Sequence, residues 1–201
     1  AGSLIKNLGG TIVPTGGYVV GDSNLVEMAC SRLTAPGIGS EGGVNFGLGR
    51  LILQGLFLSP QMVCESLNCA DLFALVFSKL GFDVLPKAGL YRSDIIQSIQ
   101  LKDPLLMQII CQSLQSTSPV DSFLNVLPSP MNGYSSNLIM SGGTFVEGST
   151  SEFSADAPLR EPYNLFVQGG THISHAKIAL IQLILRLLKE NFINKEFLNS
   201  F

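Results

Sequence analysis

A chain of 201 residues with 46% hydrophobic and 13% charged side chains can bury a sizeable core, and its formal charge of -3 excludes intrinsic disorder, which needs low hydrophobicity and high net charge. A pI near 5.3, with twelve basic residues scattered among fifteen acidic ones, excludes the basic stripe of a nucleic-acid binder. The charged share is about half of what soluble domains usually carry, so part of the surface is expected to lie against something else.

Gly10 to Gly21 reads as two short β-branched runs around Thr15-Gly16-Gly17, a hairpin pattern with Pro14 at an edge. Asp22, Ser23 or Asn24 can cap a helix reaching about Leu33, with Glu27 placed for a capping box with Asn24. After the glycine-rich loop Gly37 to Gly43, helical sequence runs from about Gly47 to Lys79, interrupted near Ser59-Pro60 and stopped by Gly81. Phe82 to Leu85 and Ser93 to Leu101 read as strands, and Pro104 to Gln115 as a helix. Asn137 to Phe145, Thr150 to Ser154 and Tyr163 to Gln168 are further strands with glycine punctuation. Ser174 can cap the last helix, and Ile178, Ile181, Leu185, Leu188 and Phe192 have the spacing of one buried face. The longest apolar runs, Leu51 to Leu58 and Ile178 to Leu188, are well short of the roughly 20 residues of a spanning helix, so no membrane partner is expected. Ala1 to Gly10 lacks the charged start and apolar middle of a secretory signal; the expected location is cytoplasmic, with any organelle address upstream.

Several constellations invite chemistry. Gly37-Ile38-Gly39-Ser40-Glu41-Gly42 matches GxGxxG, but a helix and Pro36 precede it where a dinucleotide site needs a strand. His172 and His175 stand three apart without an acidic or cysteine partner at useful spacing, so no metal is expected. Ser118 and Asp121 lack the nucleophile elbow of a hydrolase. Cys30, Cys64, Cys69 and Cys111 form no CxxC pair and read as reduced core residues. Lys6 is different: it follows Leu4 and Ile5 and precedes Leu8 and Gly9-Gly10, and desolvation by those apolar neighbours would favour the neutral amine a nucleophile needs. The plain alternative is a solvated surface lysine.

Ser3-Leu4-Ile5-Lys6-Asn7 with Gly9-Gly10, Thr15-Gly16-Gly17-Tyr18, Arg32-Leu33-Thr34-Ala35-Pro36-Gly37-Ile38-Gly39 and Gln54-Gly55-Leu56-Phe57-Leu58 resembles the aluminium-resistance, or methionine gamma-lyase-like, family of pyridoxal-phosphate enzymes. Asp94-Ile95-Ile96-Gln97, Ser118-Pro119-Val120-Asp121-Ser122, Ser154 through Tyr163 and Gln168-Gly169-Gly170 continue the resemblance in order over nearly the whole chain. It implies an α/β protein of fold type I, like aspartate aminotransferase, with residues 1–59 ending the cofactor-binding large domain. Residues 60–201 would then form a connecting helix and a small α/β domain with a short, mostly antiparallel sheet. It further implies that Lys6 holds pyridoxal 5'-phosphate covalently and that Ser3 binds its phosphate, although Ile5 stands where the wider group often has threonine. Arg160 would hold the substrate carboxylate, its other reading being an ion pair with Glu161 or Asp156.

The expected activity is a carbon–sulfur lyase acting on a sulfur-containing amino acid in a homodimer or homotetramer. The alternative is a cofactor-bearing homodimer with a metal-tolerance or regulatory role and no turnover. The resemblance further implies that the chain is the later portion of its protein, and by itself it is expected to bind the cofactor weakly or not at all.

Overall fold

The computed structural model describes residues 1–43, 45–143, 148–149 and 152–194, divided into two compact units: Ala1–Pro60 with Val146–Ser149, and Gln61–Phe145 with Thr150–Phe201. In the first unit, β1 (Gly2–Ser3) pairs antiparallel with β2 (Gly17–Tyr18), opposing Gly2 to Tyr18 and Ser3 to Gly17. The expected hairpin within Gly10 to Gly21 is therefore replaced by a pairing with the residues before it. Residues 11–12 form turns instead, because the Gly9 carbonyl accepts from the amides of Ile12 at 3.1 Å and Val13 at 3.3 Å, and Val13 is buried.

Helix α1 (Ser23–Leu33) is capped by Asp22, whose carboxylate accepts from the amides of Asn24 and Leu25. With those orphan amides satisfied, the Asn24–Glu27 box does not form. Helix α2 (Gly49–Lys79) runs unbroken for 31 residues and contains Pro60, where the sequence predicts a break. Proline removes the amide that would serve the Leu56 carbonyl, and the Ser59 hydroxyl donates to that carbonyl at 3.0 Å in its place.

The early part of α2 meets the start of the chain by backbone contact. A Cβ on Gly10 would lie 2.9 Å from Gly55 Cα, and one on Gly55 would lie 2.7 Å from the Gly9 carbonyl carbon and 3.0 Å from Val13 Cγ2. No side chain fits between these backbones, and Gly10, at φ +56, is in the left-handed region that favours glycine.

The second unit is built on an antiparallel sheet of β3 (Asp83–Leu85), β4 (Gln97–Gln100), β7 (Asn164–Gln168), β6 (Ser154–Pro158) and β5 (Leu138–Gly142), in that order. The expected strand between 137 and 145 is realised over β5. The run placed from 150 to 154 starts only at Ser154, and residues 144–147 and 150–151 lie outside the described residues. Helix α3 (Pro104–Gln115) keeps the predicted bounds; Asp103 accepts from the amides of Leu105 and Leu106, and Pro104 needs no partner in the first turn. It packs on β5 and β6 and against α4 (Ile173–Lys189). Phe73 and Phe77 from α2 enter the same core, with ring centroids 6.0 Å apart and Phe73 5.1 Å from the ring of Phe153.

Two readings of α4 are corrected. Its cap is His172, whose Nδ1 accepts from the Ser174 amide at 3.1 Å, and not Ser174. Its buried face is Ala176, Ala179, Leu180, Leu183 and Leu187, while Ile178, Ile181 and Leu185 are each more than half exposed. The helix is apolar on more than one side, so spacing alone does not select the inward one; alanine at 176 and 179 allows the closer approach of backbone to core.

Gly55→Ala gains up to about 1 kcal/mol of helix propensity but forces a methyl group into the Gly9 backbone, a cost of roughly 1–3 kcal/mol, so net destabilisation is expected. A lower urea midpoint for the variant checks it, and an unchanged or higher midpoint contradicts the close contact.

Candidate functional site

Lys6 and Ser3 lie on one short stretch of the first unit. Ser3 ends β1, and Lys6 immediately precedes a 3-10 turn (Asn7–Gly9) in which Gly9 N donates to the Lys6 carbonyl at 3.0 Å. The glycine contact with α2 fixes the far side of that turn. The Leu4 amide donates to the Gly16 carbonyl at 2.9 Å and extends the β1–β2 pairing. The backbone carrying both side chains is thus held at its two ends.

The Ser3 hydroxyl oxygen accepts from the Ile5 amide at 3.3 Å, which leaves its hydrogen for an external acceptor. The Lys6 side chain is exposed, and its Nζ donates to the backbone carbonyl of Gly148. The expected wrapping of Lys6 by Leu4, Ile5 and Leu8 does not occur: Lys6, just before the turn, is exposed, and those three are themselves only half-buried. The amine is accessible rather than desolvated. A primary amine and a hydroxyl donor three residues apart are a suitable donor set for pyridoxal phosphate: the amine can bond the aldehyde carbon and the hydroxyl can donate to the phosphate.

Arg160 belongs to the second unit, in the turn between β6 and β7, where its amide donates to the Pro158 carbonyl and its carbonyl accepts from Tyr163 N, both at 2.8 Å. The guanidinium is exposed, and among the described residues it has no ion-pair partner, so the pairing with Glu161 or Asp156 is not made. Gly148 is a contact of Lys6 that the sequence does not reveal: it accepts through a main-chain oxygen, and the only sequence signal is a glycine, here at φ +78.

The other constellations resolve into structural roles. The GxGxxG loop follows α1 with no strand leading into it. His175 Nε2 lies 2.8 Å from the Thr117 carbonyl, which requires the proton on that nitrogen, and its ring meets Phe153 edge-on. Ser118 donates to the Leu114 carbonyl at 3.4 Å and not to a histidine. Among the described residues no three His, Cys, Asp or Glu side chains gather as a metal site, and no helix is long and apolar enough to cross a membrane.

The family model described as methionine gamma-lyase matches residues 1–188. An uncharacterized Bacillus subtilis protein, YnbB, is 42% identical over 96% of this chain and 46% of its own length. An uncharacterized 33.9 kDa protein of Lactobacillus delbrueckii subsp. bulgaricus is 45% identical over 95% of this chain and 63% of its own. The chain therefore spans about half to under two thirds of these relatives. A Clostridium novyi structure described as a carbon-sulfur lyase involved in aluminum resistance superposes with a TM-score of 0.86 at 45% identity, over 92% of this chain and 43% of that one.

The four cysteines are all free, but only Cys69 and Cys111 are core residues; Cys30 is half-buried and Cys64 exposed, against the expectation for all four. Burial, then the charge of Glu65, pushes the Cys69 thiol up to about 12. Burial, then the charge of Asp156, does the same for Cys111. Because both folded values lie above the ordinary 9.0, their contribution to stability is complete below pH 9 and is lost as pH rises from 9 towards 12. Alkylation by iodoacetamide at pH 8, read by peptide mass spectrometry, should label Cys64 in the folded protein and Cys69 and Cys111 only after denaturation.

Proposed function

Because the chain belongs to the methionine gamma-lyase family, we propose that its protein is a pyridoxal-phosphate-dependent carbon–sulfur lyase acting on a sulfur-containing amino acid. The observation that carries this reading is the accessible Lys6 amine, three residues after the Ser3 hydroxyl on a stretch of backbone held at both ends. The similarity to the Clostridium novyi carbon-sulfur lyase supports it. In this reading residues 1–59 close the large domain of a fold type I enzyme, residues 60–201 carry its small domain, and the protein works as a homodimer or homotetramer.

Lys6 has two tasks in that chemistry. Its amine would hold the cofactor through the aldehyde carbon, and as a free amine it would take the proton from the substrate α-carbon. The bound cofactor supplies an electron sink for the pair left on that carbon. When the carbon–sulfur bond breaks, the sulfur would leave with the bonding electrons, and the Lys6 ammonium would return a proton to the leaving thiolate. Ser3 would donate to a phosphate oxygen and hold one end of the cofactor. Arg160, with its guanidinium unpaired among the described residues, offers two parallel N–H donors to the substrate α-carboxylate.

In the full-length protein, Lys6→Ala should remove the visible absorption of the lysine-linked cofactor and lower thiol release from cystathionine, cysteine or methionine by about 100-fold or more. Retention of both band and turnover would end the proposal. Wild-type protein that binds the cofactor yet forms no pyruvate, 2-oxobutyrate or thiol from any of the three would favour a non-catalytic role. Arg160→Gln should raise KM by roughly 10- to 100-fold with a smaller change in kcat, the loss of a charged bidentate contact; an unchanged KM would remove Arg160 from the site.

A further inference from the structure

We propose that the Gly148 carbonyl oxygen is the positioning group for the free Lys6 amine, holding it where it must be when it is not bonded to the cofactor. The proposal rests on the reading of Lys6 as the cofactor lysine. Gly148 lies between β5 and β6 in sequence, and those strands belong to the second unit; Gly148 and Ser149 nevertheless belong to the first, with Lys6. Gly148 delivers its carbonyl to the Lys6 amine.

The direction of that carbonyl is constrained from three sides. Gly148 has φ +78, a left-handed conformation in which L side chains are strained. A Cβ there would lie 3.2 Å from Ile5 Cδ1, so Ile5, the residue next to the lysine, backs the glycine directly. Ser149, immediately after it, is 7% exposed. Ile5 thereby has a packing role that suits an apolar side chain and that a threonine's shorter, polar one would not fill as well.

A lysine side chain free in solvent samples many rotamers, and ordering it costs conformational entropy. One acceptor at a fixed place restricts Nζ while using one of its hydrogens, which leaves the lone pair of the neutral amine free to face a carbonyl carbon or a proton. A neutral carbonyl does this without the ion pair that a carboxylate would impose on the ammonium form.

The test separates positioning from folding by using two variants and two ligands on cofactor-free, full-length protein. Gly148→Val cannot keep the left-handed backbone, whereas Gly148→Asn can, since asparagine tolerates it better than any β-branched residue. The rate of pyridoxal phosphate attachment is followed by visible absorbance. Pyridoxamine phosphate, which has no aldehyde and cannot bond Lys6, reports binding alone. The expected result is attachment slowed about tenfold or more in Gly148→Val and within about twofold of wild type in Gly148→Asn, with pyridoxamine phosphate affinity within about twofold in both. Attachment at the wild-type rate in Gly148→Val overturns the proposal, as does an equal loss in both variants or a parallel loss of pyridoxamine phosphate binding. A Lys6→Ala control that still develops the lysine-linked absorption instead overturns the assignment of Lys6 itself.

Discussion

The first unit depends on three glycines that let two backbones touch. Gly9 and Gly10 lie against Gly55 of α2 so closely that a single methyl group on either Gly10 or Gly55 would meet main-chain atoms at under 3 Å. Nothing in this contact is a hydrophobic side chain in the usual sense; its energy is dispersion between closely packed backbones, and its specificity is steric. The 3-10 turn seated on it begins one residue after Lys6. A lysine side chain is long and compliant, so a site built on one gains reproducibility only if the Cα it grows from is fixed, and the glycine contact does that.

The second unit uses a different device, single polar side chains that each tie two segments together inside an apolar core. Gln115, 2% exposed, donates to the Asp121 carbonyl at 2.9 Å and accepts from Gly142 N at 2.8 Å, joining the loop after α3 to the end of β5. Glu65 on α2 accepts from the Ile173 amide at 2.8 Å, and Ser66 one residue later donates to the Gly170 carbonyl at 3.3 Å. Each of these bonds contributes modestly by itself, but leaving its partner buried and unmatched costs more, so together they fix register where apolar packing would tolerate a slip.

Much of this was legible in the residues, and the failures share a cause. Helix α3 was readable to its ends because Asp103, Pro104 and the apolar period agree at every level. Strand β7 was readable because alternation there coincides with real one-sided burial of Leu165 and Val167. The break at Pro60 was wrong because the compensation comes from one neighbouring hydroxyl, which no propensity scale weighs. The inward face of α4 was wrong because a doubly apolar helix satisfies the same periodicity in two orientations. At the site, Ser3 and Lys6 are three residues apart and were readable together, whereas Gly148 is 142 residues from Lys6 and acts through an atom every residue has.

The repaired proline also limits how this sequence can change. Ser59 and Pro60 form a coupled pair: with Pro60 present, losing the Ser59 hydroxyl leaves the Leu56 carbonyl without its helical partner, but once Pro60 has become a residue with an amide, the same loss at 59 is harmless. Substitutions at these two positions are therefore expected to accumulate in one order and not the other. The coupling sits at a place where the helix geometry looks uninterrupted.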